Sequence, residues 1–322
     1  MFQHSLLNTN PQQLNLKAKL NSTYDRLYDL RERILGYPKL HEIFKRHNGF
    51  DLNLHDPWTY NEWVVHKILF ARDPLLIQTT DKFAVRDYVR QKLGTKEAEE
   101  ILIPIYHVSK IARDFPEELW QKEFFMKANH GSGTNKLVMP GADPHKTLQL
   151  AKAWLNSSYG QRRHEWAYRD IPRKIICEKV IRNEEGDIPM DIKFYCFYGK
   201  VKFILFFNGR FGKPSRAFTD PDLQLIHGVQ SGIPDLEDIP SYSTHDKMIE
   251  IAETLSKPFV HARADFYSVG GKIYFGELTQ YSGGGIEHFE SYEINLALGL
   301  LWRPEYKNKS VWDCIQEAST KY

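Results

Sequence analysis

The sequence predicts an α+β protein, with a helical N-terminal segment ahead of a longer part that mixes strands and helices. Three observations lead there. Residues 12 to about 72 carry Leu14, Leu20, Tyr24, Leu27, Leu30 and Ile34 at three- and four-residue spacing among charges, the pattern of amphipathic helices. Further on, short apolar runs of strand length replace that period. The third observation is residues 261–279, which read as two strands joined by Gly270-Gly271, a dipeptide suited to the positive φ angles of a tight hairpin.

The totals narrow the function classes. A chain of 322 residues holds one large domain or two modest ones, with ample core. Its 42% hydrophobic and 26% charged residues are ordinary for a globular protein. A net charge of +2 gives no general field for polyanions, so nucleic acid is not expected as a partner, although a local phosphate pocket remains open. Cys177, Cys196 and Cys314 show no metal-ligand spacing, and the first two sit in apolar runs that suit buried thiols. No signal-peptide pattern and no run of 18 apolar residues is seen, so the expectation is a cytoplasmic protein without an integral membrane segment.

Taken in order, the helical region breaks at Gly36-Tyr37-Pro38, resumes at Leu40–Phe44 and again at Asn61–Phe70, with Asp56-Pro57 as a start signal. The next helix runs from Asp81, as cap, through Val89 to Gly94 at the C′ position. Lys82 then falls in a first turn, where a cation sits more easily if an anion binds beside it; the plain alternative is a lysine reaching into water. Residues 101–106 read as a strand, which Pro104 places at an edge.

Residues 123–128 read as a strand ending in Lys127, costly in an apolar run unless its ammonium is paired. The loop that follows, Asn129-His130-Gly131-Ser132-Gly133, is small enough for its backbone N–H groups to surround phosphate oxygens, or else is an ordinary hairpin turn. It lacks the Gly-Lys-Ser/Thr of a Walker A loop. A helix over Pro144–Leu155 is capped by Asp143. The basic, aromatic stretch between Ser157 and Arg173, with Arg162 and Arg163, reads as a charged surface loop or as a flap over an acidic substrate.

Residues 175–181 form a strand with Glu178 embedded in it, and 190–197 with 201–207 form a hairpin about Tyr198-Gly199-Lys200. Asp191 and Lys193, two apart, share a face. A long loop spans 208–243, a helix 244–255 leads into the late hairpin, and a last helix is expected near Ile294–Leu301 beyond a glycine-rich loop at 281–285. In the late hairpin Arg263 and Asp265 share a face, Asp265 near the end of one strand and Glu277 near the end of the other. Two carboxylates so placed could hold Mg²⁺ against a phosphate, or could be solvated charges on an edge hairpin.

Together these stretches resemble the ATP-grasp superfamily, and within it the TupA-like branch associated with teichuronopeptide and other surface-polysaccharide biosynthesis. The matching residues are Thr80-Asp81-Lys82 with Arg86, Met126 to Gly133, Glu165-Trp166-Ala167-Tyr168, Glu178 to Ile181, Asp191 to Phe197, Arg263-Ala264-Asp265 and Phe275 to Thr279. The likeness covers roughly residues 50–300 and implies an ATP-grasp fold whose two sheet-containing subdomains clasp ATP. The expected division is 1–75 as helical segment, 76–180 as the first subdomain and 181–322 as the second, with the metal site. By resemblance, Lys82 and Lys127 hold ATP phosphates with the backbone of His130, Gly131, Ser132 and Gly133, while Glu178, Val180 and Asp191 complete the nucleotide set. Asp265 and Glu277 bind Mg²⁺, and Arg263 and Lys193 stabilise the transferring phosphoryl group. Two departures stand out. Thr279 occupies the place of the usual Glu-x-Asn asparagine, and helices replace the usual Rossmann-like leading domain.

The implied function is an ATP- and Mg²⁺-dependent carboxylate–amine ligase acting through an acyl phosphate. The carboxylate would belong to a uronic acid of a bacterial surface polysaccharide or its precursor and the amine to an amino acid, with association with polysaccharide-assembly enzymes possible. The alternatives are a kinase acting on a glycan or small-molecule hydroxyl, and a nucleotide-binding module without turnover.

Overall fold

A computed structural model of the protein describes residues 11–209, 213–236 and 238–321, with the backbone alone for 11–22 and 321. The chain builds two compact units from interleaved segments. One contains the chain up to Tyr37, Asp81–Phe83 and Ile103–Ile181; the other contains Pro38–Thr80, Ala84–Leu102 and the chain from Arg182 onward.

The first unit opens with α1 (Pro11–Ile34) and holds an antiparallel four-stranded sheet of β1 (Ile105–Ser109), β2 (Phe124–Ala128), β3 (Asn135–Val138) and β4 (Ile175–Lys179), in the order β1-β4-β2-β3. Helix α7 (Pro144–Asn156) closes one face, its Ala151 fully buried together with Phe124, Met126 and Cys177 of the sheet. Asp143 caps it as expected, its carboxylate accepting from the Lys146 N–H at 3.2 Å.

Helix α1 packs on a face opposite to the one its apolar spacing suggests. Tyr24, Leu27, Leu30 and Ile34 are exposed, whereas Asp25, Asp29 and Glu32 are buried. The reason is charge. Asp29 accepts two guanidinium N–H groups from Arg169 at 2.7 Å and lies 2.6 Å from His164 Nδ1, while Asp25 takes Arg162 Nε at 2.6 Å and Ser158 Oγ at 2.8 Å. The basic stretch between Ser157 and Arg173 is therefore committed in part to α1, which counts against reading it as a free flap.

The second unit contains α2 (Pro38–Asn48), α3 (Tyr60–Phe70), α4 (Pro74–Thr80), α5 (Val85–Leu93), α6 (Thr95–Ile101), α8 (His245–Ser256), α9 (Tyr292–Leu300) and α10 (Val311–Lys321). Its antiparallel five-stranded sheet comprises β5 (Asp191–Phe197), β6 (Lys200–Asn208), β7 (Ser215–Thr219), β8 (His261–Val269) and β9 (Lys272–Thr279), in the order β7-β6-β5-β8-β9. Gly270 and Gly271 take φ of 54° and 71°, the hairpin turn their sequence calls for. One sheet face packs on α8, where Cys196 Sγ lies 3.8 Å from the Ala252 carbonyl. The other carries Tyr195, Phe197 and His261 against Tyr60 and Trp302.

Several local expectations change. Helix α3 starts on a capping box of Thr59 and Glu62 rather than on Asp56-Pro57. Asp81 does not cap α5; its carboxylate instead accepts the Phe83 N–H at 2.8 Å in a turn between α4 and α5, and Lys82 sits in that turn. Gly94 ends α5 with φ of 81°, as its position suggests. Residues up to Ile101 are helical, so the edge strand β1 begins only after Pro104. Strand β3 pairs with β2 across the glycine loop, which makes that loop a hairpin connection, strand β7 forms inside a segment read as loop, and α10 follows the helix expected to be last.

Candidate functional site

In the first unit the predicted residues gather around β2. Lys127 and Glu178 lie on neighbouring strands, and Lys127 Nζ meets Glu178 Oε2 at 2.5 Å with Glu178 nearly buried. The cost of a lysine closing an apolar strand is met by this pair. Sequence reasoning gave the two separate roles; the fold makes them direct partners. Val180, also buried, follows the end of β4.

Asn129 connects three segments and was not singled out from the sequence. Its amide nitrogen donates to Asp81 Oδ1 at 2.9 Å and to the Pro172 carbonyl at 3.0 Å, and its amide oxygen accepts the Lys174 N–H at 2.7 Å. Its backbone carbonyl accepts the Lys82 N–H at 3.2 Å. Lys82 is thereby tied to the loop that follows Lys127. The loop closes through the Ala128 N–H, which donates to the Thr134 carbonyl at 3.0 Å.

Within that loop Gly133 has φ of 72°, a conformation costly for a side chain. A Cβ on Gly131 would lie 3.2 Å from the Tyr159 ring. His130 is buried, and burial, reinforced by Arg173, pushes its pKa down to about 4, so the imidazole is neutral at physiological pH. Tyr159, under the loop, is raised to about 12 by burial and then by Glu165, with hydrogen bonding to Ser132 opposing. Glu165 itself is raised to about 7 by burial. Tyr159 gave no sequence signal of its own, because a lone tyrosine in a polar loop is unremarkable, and Glu165 entered only as part of the Glu165–Tyr168 stretch that resembles the family, without a role.

In the second unit the predicted residues form one row across three strands. Lys193 on β5 is paired in register with Asp265 on β8, which is paired with Glu277 on β9. Asp265 lies mid-strand rather than near the strand end, and only 5% of it is exposed. Arg263 grips it with a fork, Nε to Oδ1 and Nη2 to Oδ2, both 2.7 Å, and Lys193 Nζ lies 3.3 Å from Oδ2. Arg263 Nη1 donates to Ser282 Oγ at 2.8 Å, and Nη2 reaches Thr279 Oγ1 at 3.2 Å and Glu277 Oε1 at 3.7 Å. Burial alone would lower the Arg263 pKa, but Asp265 beside it holds the guanidinium well above its ordinary value. Asp191 is buried two residues before Lys193 on the same face.

Two cations and two carboxylates balance in this row. Asp265, Glu277 and the Thr279 hydroxyl are hard oxygen donors on adjacent strands, a set that suits Mg²⁺ when phosphate oxygens and water complete the shell. Among the described residues no group of three or more His, Cys, Asp or Glu forms a self-sufficient metal cage.

Comparison with known proteins gives the family. Residues 62–302 match the TupA-like ATPgrasp family. The chain belongs to that family. Its fold is accordingly the ATP-grasp fold, here carried on two antiparallel sheets with N-terminal helices. Among solved structures, the chain is similar to D-alanine–D-alanine ligase from Bacillus anthracis complexed with ATP, at 16% identity over 76% of this chain and 66% of that one, TM-score 0.40. It is also similar to D-alanine–D-alanine ligase from Helicobacter pylori, at 10% identity over 70% of this chain and 59% of that one, TM-score 0.39. A third is ATP-grasp ligase PsnB complexed with minimal precursor, Mg and ADP, at 11% identity over 71% and 61%, TM-score 0.37. This TupA-like chain thus spans less than two thirds of the length of each. No curated protein matches it. Among the described residues no helix is long and apolar enough to cross a membrane.

Proposed function

We propose that this TupA-like protein is an ATP- and Mg²⁺-dependent ligase that joins a carboxylate to an amine through an acyl phosphate. The observation that carries the reading is the row Lys193–Asp265–Glu277 with Arg263 clamped on it, in a chain of the ATP-grasp family. In this reading Asp265 and Glu277 hold Mg²⁺, which when bound neutralises charge on the β- and γ-phosphates of ATP. Lys127, Lys82 and the backbone from His130 to Gly133 hold the phosphates, and Glu178, Val180 and Asp191 complete the nucleotide site.

The chain's own residues then have distinct tasks. The Asp265 fork fixes the Arg263 guanidinium, so its charge costs no reorganisation as charge builds on the transferring group. Lys193 adds a second cation on the same carboxylate. Neutral His130 shapes the phosphate loop rather than charging it. The carboxylate oxygen attacks the γ-phosphorus and ADP leaves. The amine next attacks the acyl carbon, phosphate departs carrying the carboxylate's oxygen, and the amine gives up a proton.

For substrates we propose a uronic acid of a bacterial surface polysaccharide or its precursor and an amino acid, handled in the cytoplasm alongside polysaccharide-assembly enzymes. ADP release against a matrix of uronic acids, nucleotide uronates and amino acids, with mass spectrometry of products, tests this. Turnover needing both partners, with a product one water lighter than their sum, is expected. A product one phosphoryl group heavier, made without an amine, would instead establish a kinase; nucleotide binding without turnover across the matrix would favour a binding module.

A further inference from the structure

The second unit contains a cavity of about 390 Å³ between α3, the start of β8 and the segment after α9. Its wall is largely apolar, with Trp63, Phe259 and Trp302 among the lining residues, and the lining residues Phe70 and Val260 are exposed. Lys67 lines this wall, and among the described residues no carboxylate pairs with it. Its ammonium donates to the His261 carbonyl at 2.8 Å and to Gln280 Oε1 at 2.7 Å, both neutral, which leaves a third N–H. Three residues of the wall carry buried hydrogen-bonding atoms without partners among the described residues: Trp63 Nε1, Trp302 Nε1 and His261 Nδ1. Trp302 and His261 are themselves 4% and 0% exposed.

A cavity wall with a lysine ammonium held only by neutral acceptors and the Phe259 ring, 5.9 Å from its centroid, and with two unpartnered indole donors, is short of acceptors and of one negative charge. We propose that it binds a small monocarboxylic acid with an aromatic or aliphatic body, the carboxylate on Lys67 and the body against Phe259 and the stacked indoles of Trp63 and Trp302. One cation matches one carboxylate; a phosphate dianion would need more charge than the wall supplies. The volume lies within the usual range for small-molecule sites, roughly 300–1,000 Å³. The cavity shares β8 with Arg263 and Asp265 but contains neither, so the inference stands apart from the ligase reading.

Protonation offers a readout independent of catalysis. Burial pushes Lys67 down to about 7. The other titratable groups around it are His66 and His261, both lowered by burial, His261 further by Lys67 and Arg263, and Asp73 at the cavity wall. At about pH 8 both histidines and most of Lys67 are neutral, so seating a carboxylate draws a proton onto Lys67.

The probes are 3-phenylpropionate and its neutral counterpart 3-phenyl-1-propanol, titrated calorimetrically into the full chain in buffers of different ionisation enthalpy. The acid is expected to bind roughly tenfold or more tightly than the alcohol, the size of a hydrogen bond to a charged group, with uptake approaching one proton. Lys67→Met should erase both the preference and the uptake. Should that variant fail to fold, the acid–alcohol comparison and the proton count on the wild type still decide. No saturable binding of the acid, equal affinity for both probes, or binding without proton uptake would each overturn the proposal.

Discussion

Arg263 directs four of its five N–H donors to named partners, two to Asp265 and one each to Ser282 and Thr279. A guanidinium fixed this way is a preorganised charge. Glu277 is the least constrained member of the row, its side chain 38% exposed, so it is the natural place to separate function from folding. Glu277→Gln should abolish Mg²⁺-dependent ADP release while leaving thermal unfolding within a few degrees of wild type; a large stability loss would make the carboxylate structural. Glu165 offers a test by pH. Its folded pKa of about 7 lies above its ordinary 4.5, so the folded state retains a proton that the unfolded state releases as pH rises between those values. Wild-type stability is therefore lost across that window relative to Glu165→Gln. By about pH 8 the variant should be the more stable by roughly 1–3 kcal/mol in urea unfolding, with no such gain near pH 4. A gain independent of pH would rule out burial of a protonated carboxyl. At this scale the sequence showed which charges share a face, because a strand's period of two places Arg263 with Asp265 and Asp191 with Lys193. It could not show Lys127 on Glu178, or Asn129 tying Lys82 to the loop, because those contacts arise from folding of distant segments.

The late hairpin was readable at the scale of elements because two adjacent glycines set its turn, whereas the irregularity between Asp265 and Phe266 that brings Asp265 opposite Glu277 was not. Helix α7 was equally plain from Asp143-Pro144. Strand β7 was not, since Ser215–Thr219 is short and gains its place by pairing with β6. Helix α1 is the instructive case. Its leucines mark a helical period correctly but not the packed face, because buried acid–base pairs outweigh the apolar stripe. Asp29→Ala strips His164 and Arg169 of their shared carboxylate, and removing one partner of a buried pair costs about 3 kcal/mol or more. Leu27→Ala, at a site 62% exposed, should cost little. Comparing the two variants by urea unfolding checks the assignment; the reverse order of losses would restore the apolar face as the packed one.

At the level of the whole molecule, the two compact units are assembled from segments that alternate along the chain, and such grouping follows from strand pairing that periodicity does not encode. What the sequence did carry to this scale is the order of motifs, and that order led to the family to which the chain belongs. In the proposed reaction the γ-phosphoryl group passes to a carboxylate rather than to a hydroxyl. The most direct measurement uses a carboxylate substrate that supports turnover, labelled with ¹⁸O in its carboxyl group, with mass spectrometry of the released inorganic phosphate. The acyl-phosphate route predicts one labelled oxygen in each phosphate, because the oxygen that attacked the γ-phosphorus leaves with it. Unlabelled phosphate, or label retained in a phosphorylated product, would contradict it.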